Sequence, residues 1–256
     1  MAKKNNSIWS PWSLFALSAV LLAAGWLMKP FPVLIFAGFA PLFALVDYAR
    51  DSKNPWNRFE LILLALSISL FAASFFDFQI IIIVLVQAIA LTLTFVGYSF
   101  AHQNLGSRLG KFTVIFFWLG LEFIFLNLPW REQTIFLADS LSLVPGWVNW
   151  THHTGYLGAS LWVLTVNLVF YLSFFHKGTF NVYLFILAIL LIAIPIVLSY
   201  QMDTLGVNRT QMISSYSYKS NILQGKSTGE LVARTATWLS VLIILLSFVK
   251  NQTRKK

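Results

Sequence analysis

The side chains of this chain that could do chemistry are few, and they gather between Phe117 and Asn167. Glu122 stands alone in the apolar run FFWLGLEFIFLNLPW, and His152 and His153 are adjacent in THHTGYLGASLWVLTVN. An ionised carboxylate in an apolar run is costly unless it is paired or protonated. Glu122 therefore reads either as a functional acid or as a hydrogen-bonding link between helices. Asn127 and Asn167 are amides on the same stretch, and an amide that joins two helices is a common structural feature. Adjacent histidines on a helix point about 100° apart, so His152 and His153 cannot ligate one metal from a shared face. One of them could act as a general acid or base, because imidazole titrates near neutral pH. The alternative is a satisfied polar residue at headgroup level.

The remaining chemistry is limited by what is missing. With no cysteine in 256 residues, the chain has no disulfide, no thiolate nucleophile and no thiolate metal site. His102 and His176 fall on segments assigned to the opposite side from His152 and His153, so no metal site is expected. Neither a phosphate-cradling glycine loop nor a cofactor motif is present. No cofactor is expected.

The elements that must position these residues are membrane helices. A composition of 58% hydrophobic and 11% charged residues, with a mean hydropathy of +0.74, lies outside the range of soluble domains. Eight apolar segments are long enough to span a bilayer, near 9–28, 31–48, 60–77, 79–100, 112–129, 156–175, 180–200 and 236–250. The sequence thus predicts an all-α integral membrane protein, one transmembrane domain over 1–256. Pro30 and Pro32 force a tight turn after the first segment. The apolar block 60–100 turns near Ser74–Gln79, and Pro195 should kink the seventh span.

Orientation follows from the basic residues. The net charge of +9 is spread in short clusters between apolar runs, which argues for topology signals and against a nucleic-acid surface. Placing the N-terminus inside puts twelve Lys and Arg in the cytoplasm and six on the other face. Both termini are then cytoplasmic. The loop 129–155, partly interfacial, and the short polar loop 201–235 face outward. Trp118, Trp130, Trp147, Trp150 and Trp162 bracket the outer loop as an aromatic belt would. Gly155 and Gly158 are small residues that permit close helix approach.

The order of these features resembles the membrane domain of bacterial apolipoprotein N-acyltransferases, which attach the third acyl chain to lipoproteins. The resemblance rests on Trp118-Leu119-Gly120-Leu121-Glu122, then Pro129-Trp130, then Gly155, Gly158 and Ser160 leading to Asn167, and on FPVLIFAGFAPLFALV near the N-terminus. It implies the bacterial inner membrane, eight spans, and a lateral lipid-binding groove. Trp118, Glu122, Pro129, Trp130, Trp150, Gly155, Gly158 and Asn167 would then be lipid-binding or scaffold positions. The family's nitrilase-like domain, with its Glu-Lys-Cys set, would sit between the last two spans, where this chain has only residues 201–235. Phe123 and Phe125 replace an aromatic and an arginine that commonly follow the glutamate, and Ala236-Thr237 replaces a Gly-Asp. The family's thioester chemistry is closed to a chain without cysteine. Two functions are compatible with this. The chain binds a phospholipid or a lipoprotein's lipid anchor in an accessory role. Alternatively it is an acyltransferase of altered chemistry, with His152 or His153 as catalytic candidates or with a separate periplasmic catalytic partner.

Overall fold

The computed structural model describes residues 9–28, 32–51, 55–106, 110–176, 179–204 and 229–254. Among them every regular element is helical: α1 (Pro11–Leu27), α2 (Ile35–Gly38), α3 (Ala40–Asp51), α4 (Trp56–Ala73), α5 (Ile81–Leu105), α6 (Thr113–Leu126), α7 (Thr151–Thr154), α8 (Tyr156–Phe174), α9 (Val182–Thr204) and α10 (Gly229–Arg254). Six helical stretches are long and apolar enough to cross a membrane, and α1 and α6 are shorter apolar helices. The last helix starts at Gly229, seven residues before the expected 236, and α9 runs on to Thr204. Both ends of the expected polar loop 201–235 are thus helical, and its stretch 205–228 lies outside the described residues.

Local sequence sets where the helices begin and stop. Ser10 caps α1, its hydroxyl accepting the Ser13 N–H at 3.1 Å, with Pro11 in the first turn where a missing N–H costs nothing. Pro41 does the same for α3, and the helix is broken just before it, between Gly38 and Ala40. The turn expected near Ser74–Gln79 runs through Phe75 and Phe76, whose φ of 53° and 61° are left-handed. Phe76 N–H bonds the Phe71 carbonyl at 3.0 Å, which closes the C-terminus of α4.

The core lies between α1, α2–α3, α4, α5, α6 and α8. The stretches Pro32–Arg50 and Tyr156–Phe174 are each 72% buried, whereas Val182–Met202 is 17% and Val232–Thr253 22% buried. α9 leans on α8 and on the turn Pro145–Trp147, and α10 leans mainly on α6 and α5. Among the described residues these two form no packed interface with each other. Their free faces carry Tyr183, Ile186, Leu190, Trp238, Leu242 and Leu246 in the open, as expected of helices solvated by hydrocarbon.

Candidate functional site

Between α6 and α8 the chain does not simply loop out. Residues 131–147 form three short 3-10 turns, Arg131–Gln133, Leu137–Leu143 and Pro145–Trp147. Phe136, Leu137, Ala138, Leu141 and Val148 are buried. Irregular backbone in such a place needs partners for its N–H and C=O groups. Gln87 of α5 supplies one pair, its Oε1 accepting the Ile135 N–H at 3.1 Å and its Nε2 donating to the Ile135 carbonyl. Glu122 supplies the next: Oε1 accepts the Leu137 N–H at 2.8 Å and the Trp118 indole N–H at 3.1 Å. Ser160 Oγ accepts the Ala138 N–H at 3.1 Å. Asp139 accepts the Phe136 N–H at 2.8 Å and the Tyr156 hydroxyl.

Leu137 and Ala138 are the first two residues of a 3-10 turn, so Glu122 and Ser160 act as its N-terminal cap from two other helices. Glu122 is 1% exposed. Its second oxygen has no hydrogen-bond partner in the structure. The work this carboxyl visibly does is to hold the Leu137 backbone and the Trp118 indole.

Asn167 has the same office at the break between α2 and α3. Its Oδ1 accepts the Phe39 N–H at 2.7 Å, and its Nδ2 donates to the Ile35 carbonyl at 2.8 Å and to Val163 at 2.8 Å. Ser18 donates to the Gly38 carbonyl at 2.6 Å. Together they replace helix bonds lost ahead of Pro41. Pro195 leaves the carbonyl four residues earlier, Leu191, without its helical donor, and the Trp162 indole N–H donates to it at 2.6 Å.

The remaining expected positions separate. Trp118 and Trp162 are 3% and 7% exposed, so they are core residues with buried donors and not belt residues; Trp130, 43% exposed, stays at the surface. Trp150 packs edge-on to Trp162 at 5.5 Å between ring centres and donates to the Trp147 carbonyl at 3.1 Å. Gly155 has φ of 83°, a conformation that glycine alone adopts without strain, and this ends α7. A Cβ at Gly158 would stand 2.3 Å from Thr154 Oγ1, so this glycine admits the fold-back of α7 and not a neighbouring long helix. Closer helix approaches lie at Gly25 of α1, where a Cβ would stand 2.5 Å from Ile35 Cγ1, and at Gly38 of α2, where one would stand 2.5 Å from Leu22 Cδ2; at Gly120 a Cβ would stand 3.2 Å from Thr237 Cα of α10. Pro129 follows the end of α6 at Leu126. The backbone of His152 and His153 lies in α7, and their side chains are outside the described residues.

Beside this frame lies a lateral cleft. One part, about 350 Å³, is walled by Trp150, Gly158, Trp162, Pro195 and Leu198. A second, about 320 Å³, is walled by Phe116, Leu119, Ala236 and Leu239. Both parts share Leu161 and Val232 in their walls, so they adjoin. The lining is almost entirely apolar. The cleft sits against α8 where α9 and α10 fail to close on each other.

At the far ends of α3, α5 and α8 is a polar cluster that sequence reading did not single out. Arg50 pairs with Asp47 and with His102, Tyr171 donates to Asp47, and Lys111 lies 2.9 Å from His176. Its members come from positions 47 to 176, and no local motif joins them. Among the described residues no three His, Asp or Glu side chains converge as a metal site.

Comparison with protein-family models, with curated proteins and with solved structures gives no match.

Proposed function

We propose that this chain is a multi-pass protein of the bacterial inner membrane that holds one hydrocarbon chain of a membrane lipid in the cleft between α8, α9 and α10. In this reading the six long apolar stretches and the shorter α1 and α6 all cross the bilayer, both termini are cytoplasmic, and 129–155 and 201–235 face the periplasm. It acts as an accessory in lipoprotein or envelope-lipid handling, as a scaffold of the apolipoprotein N-acyltransferase type without the catalytic domain. The bound lipid is a phospholipid or a lipoprotein's lipid anchor.

The observation that carries this is the chemistry of the cleft. Its walls offer a ligand contact area and almost no polar atoms, and its mouth lies between two helices whose outer faces are exposed apolar residues. The medium at that mouth is hydrocarbon, so hydrocarbon fills it. A cleft of this size is within the range of small-molecule sites, about 300–1,000 Å³.

Leu161 lies on both parts of the cleft, and Leu161→Trp fills their junction. Mass spectrometry of lipid retained after purification in native nanodiscs tests the reading. A defined phospholipid retained by the parent chain and lost from Leu161→Trp is the expected result. Equal retention by both would refute it.

A further inference from the structure

α9 is the least buried of the membrane-length helices, 17%, and Pro195 on its inner face forms part of the cleft wall. Two fastenings hold it near this point. Before the proline, the Leu191 carbonyl receives the Trp162 indole N–H at 2.6 Å. After it, Ser199 is gripped by Asn149: the Asn149 N–H donates to Ser199 Oγ at 2.6 Å, and Asn149 Nδ2 donates to the Ser199 carbonyl at 2.9 Å. Asn149 Oδ1 is buried and has no hydrogen-bond partner. Between and around these points Ile194, Val197 and Leu198 are 53%, 54% and 46% exposed. On the other side of the mouth stands Val232 of α10, with no packed α9–α10 interface among the described residues.

A helix bends most readily where a proline removes a backbone bond. Here the missing bond is replaced from another helix, so around Pro195 side chains of neighbouring elements supplement a helix ladder that lacks one bond. We propose that this part of α9 is a movable wall, with Trp162 and Leu191 at the hinge and Asn149 and Ser199 as the latch. A single acyl chain of a membrane lipid passes sideways from the bilayer between α9 and α10. Trp162, Asn149 and Ser199 are positioning residues for that movement. The proposal rests on the cleft holding a lipid chain. The unsatisfied Asn149 oxygen makes the latch weaker than a fully paired one, since an orphaned buried acceptor keeps its desolvation cost.

The absence of native cysteine allows a direct test. In the double variant Leu198→Cys, Val232→Cys the thiols face the cleft from α9 and α10 and can be joined by a reducible bifunctional thiosulfonate. The protein is held in nanodiscs of phosphatidylethanolamine and phosphatidylglycerol, and exchange of its bound phospholipid for an isotope-labelled one is followed by native mass spectrometry. Joining the thiols is expected to slow exchange at least about tenfold, with the original rate restored on reduction. Ser199→Ala, which removes one latch acceptor, is expected to speed exchange about fivefold to tenfold. Bound lipid that exchanges equally fast in joined and open protein overturns the movable wall and leaves the cleft reading standing. No bound lipid in any form overturns both.

Discussion

Asn167 shows what the buried polar residues do, because three of its hydrogen bonds go to backbone groups on two helices. Replacing it with alanine strands the Phe39 N–H and the Ile35 carbonyl, so Asn167→Ala is expected to cost about 2 kcal/mol in reversible unfolding. Glu122 distinguishes a structural acid from a catalytic one. Glu122→Gln keeps an oxygen for the Leu137 N–H and the Trp118 indole and is expected to stay within about 0.5 kcal/mol of the parent. Glu122→Leu leaves both donors without a partner and is expected to lose about 2 kcal/mol. The check is denaturant unfolding of the three proteins in one detergent. Equal loss in both variants would mean that the charge itself matters. Trp162→Phe keeps the ring packing with Trp150 and Phe36 and removes only the donor to Leu191. It is expected to cost about 1 kcal/mol and to loosen α9 beyond Pro195, read as faster hydrogen exchange there.

The helices themselves were largely legible. Apolar length located the long ones, and Pro195 marked a place where a helix bond is lost, at the Leu191 carbonyl; the break before Pro41, inside the expected span 31–48, was not foreseen. What sequence could not show is which side chain repairs each break. The repair of Pro195 comes from position 162 and that of the α2–α3 break from positions 18 and 167. Such pairs depend on which helices become neighbours, and no local pattern encodes that. Gln87 went unnoticed for the same reason. It looks like a stray amide in an apolar run until Ile135 folds back against it. Gly155 and Gly158, expected at a close helix approach, serve the tight turn between α7 and α8, because small residues suit turns as well as helix contacts; close contacts between longer elements fall at Gly25, Gly38 and Gly120. At the level of elements, Gly120→Leu is expected to push α6 and α10 apart. The smaller change Gly120→Ala should lower the thermal midpoint in detergent more than Gly97→Ala, where a Cβ meets only the Phe117 ring, at an ordinary 3.4 Å.

For the whole molecule, the unequal distribution of Lys and Arg and the uncovered faces of α9 and α10 describe a bundle whose core is sealed at α8 and open at one side. Single cysteines in the cysteine-free chain test its orientation. Ser215→Cys is expected to react with a membrane-impermeant maleimide from the periplasmic side and Ser107→Cys only after permeabilisation. The chain alone is expected not to restore growth of a strain lacking apolipoprotein N-acyltransferase, since it has no thiol to carry an acyl group. The central claim, that the lateral cleft holds a lipid chain, is tested most directly by a phospholipid with a photoactivatable group near the end of one acyl chain. After illumination in nanodiscs and peptide mapping, the label should concentrate on Trp150–Trp162 and Val232–Leu239. Label spread evenly over outward residues such as Tyr183, Ile186 and Leu246, with no enrichment in the cleft, would contradict it.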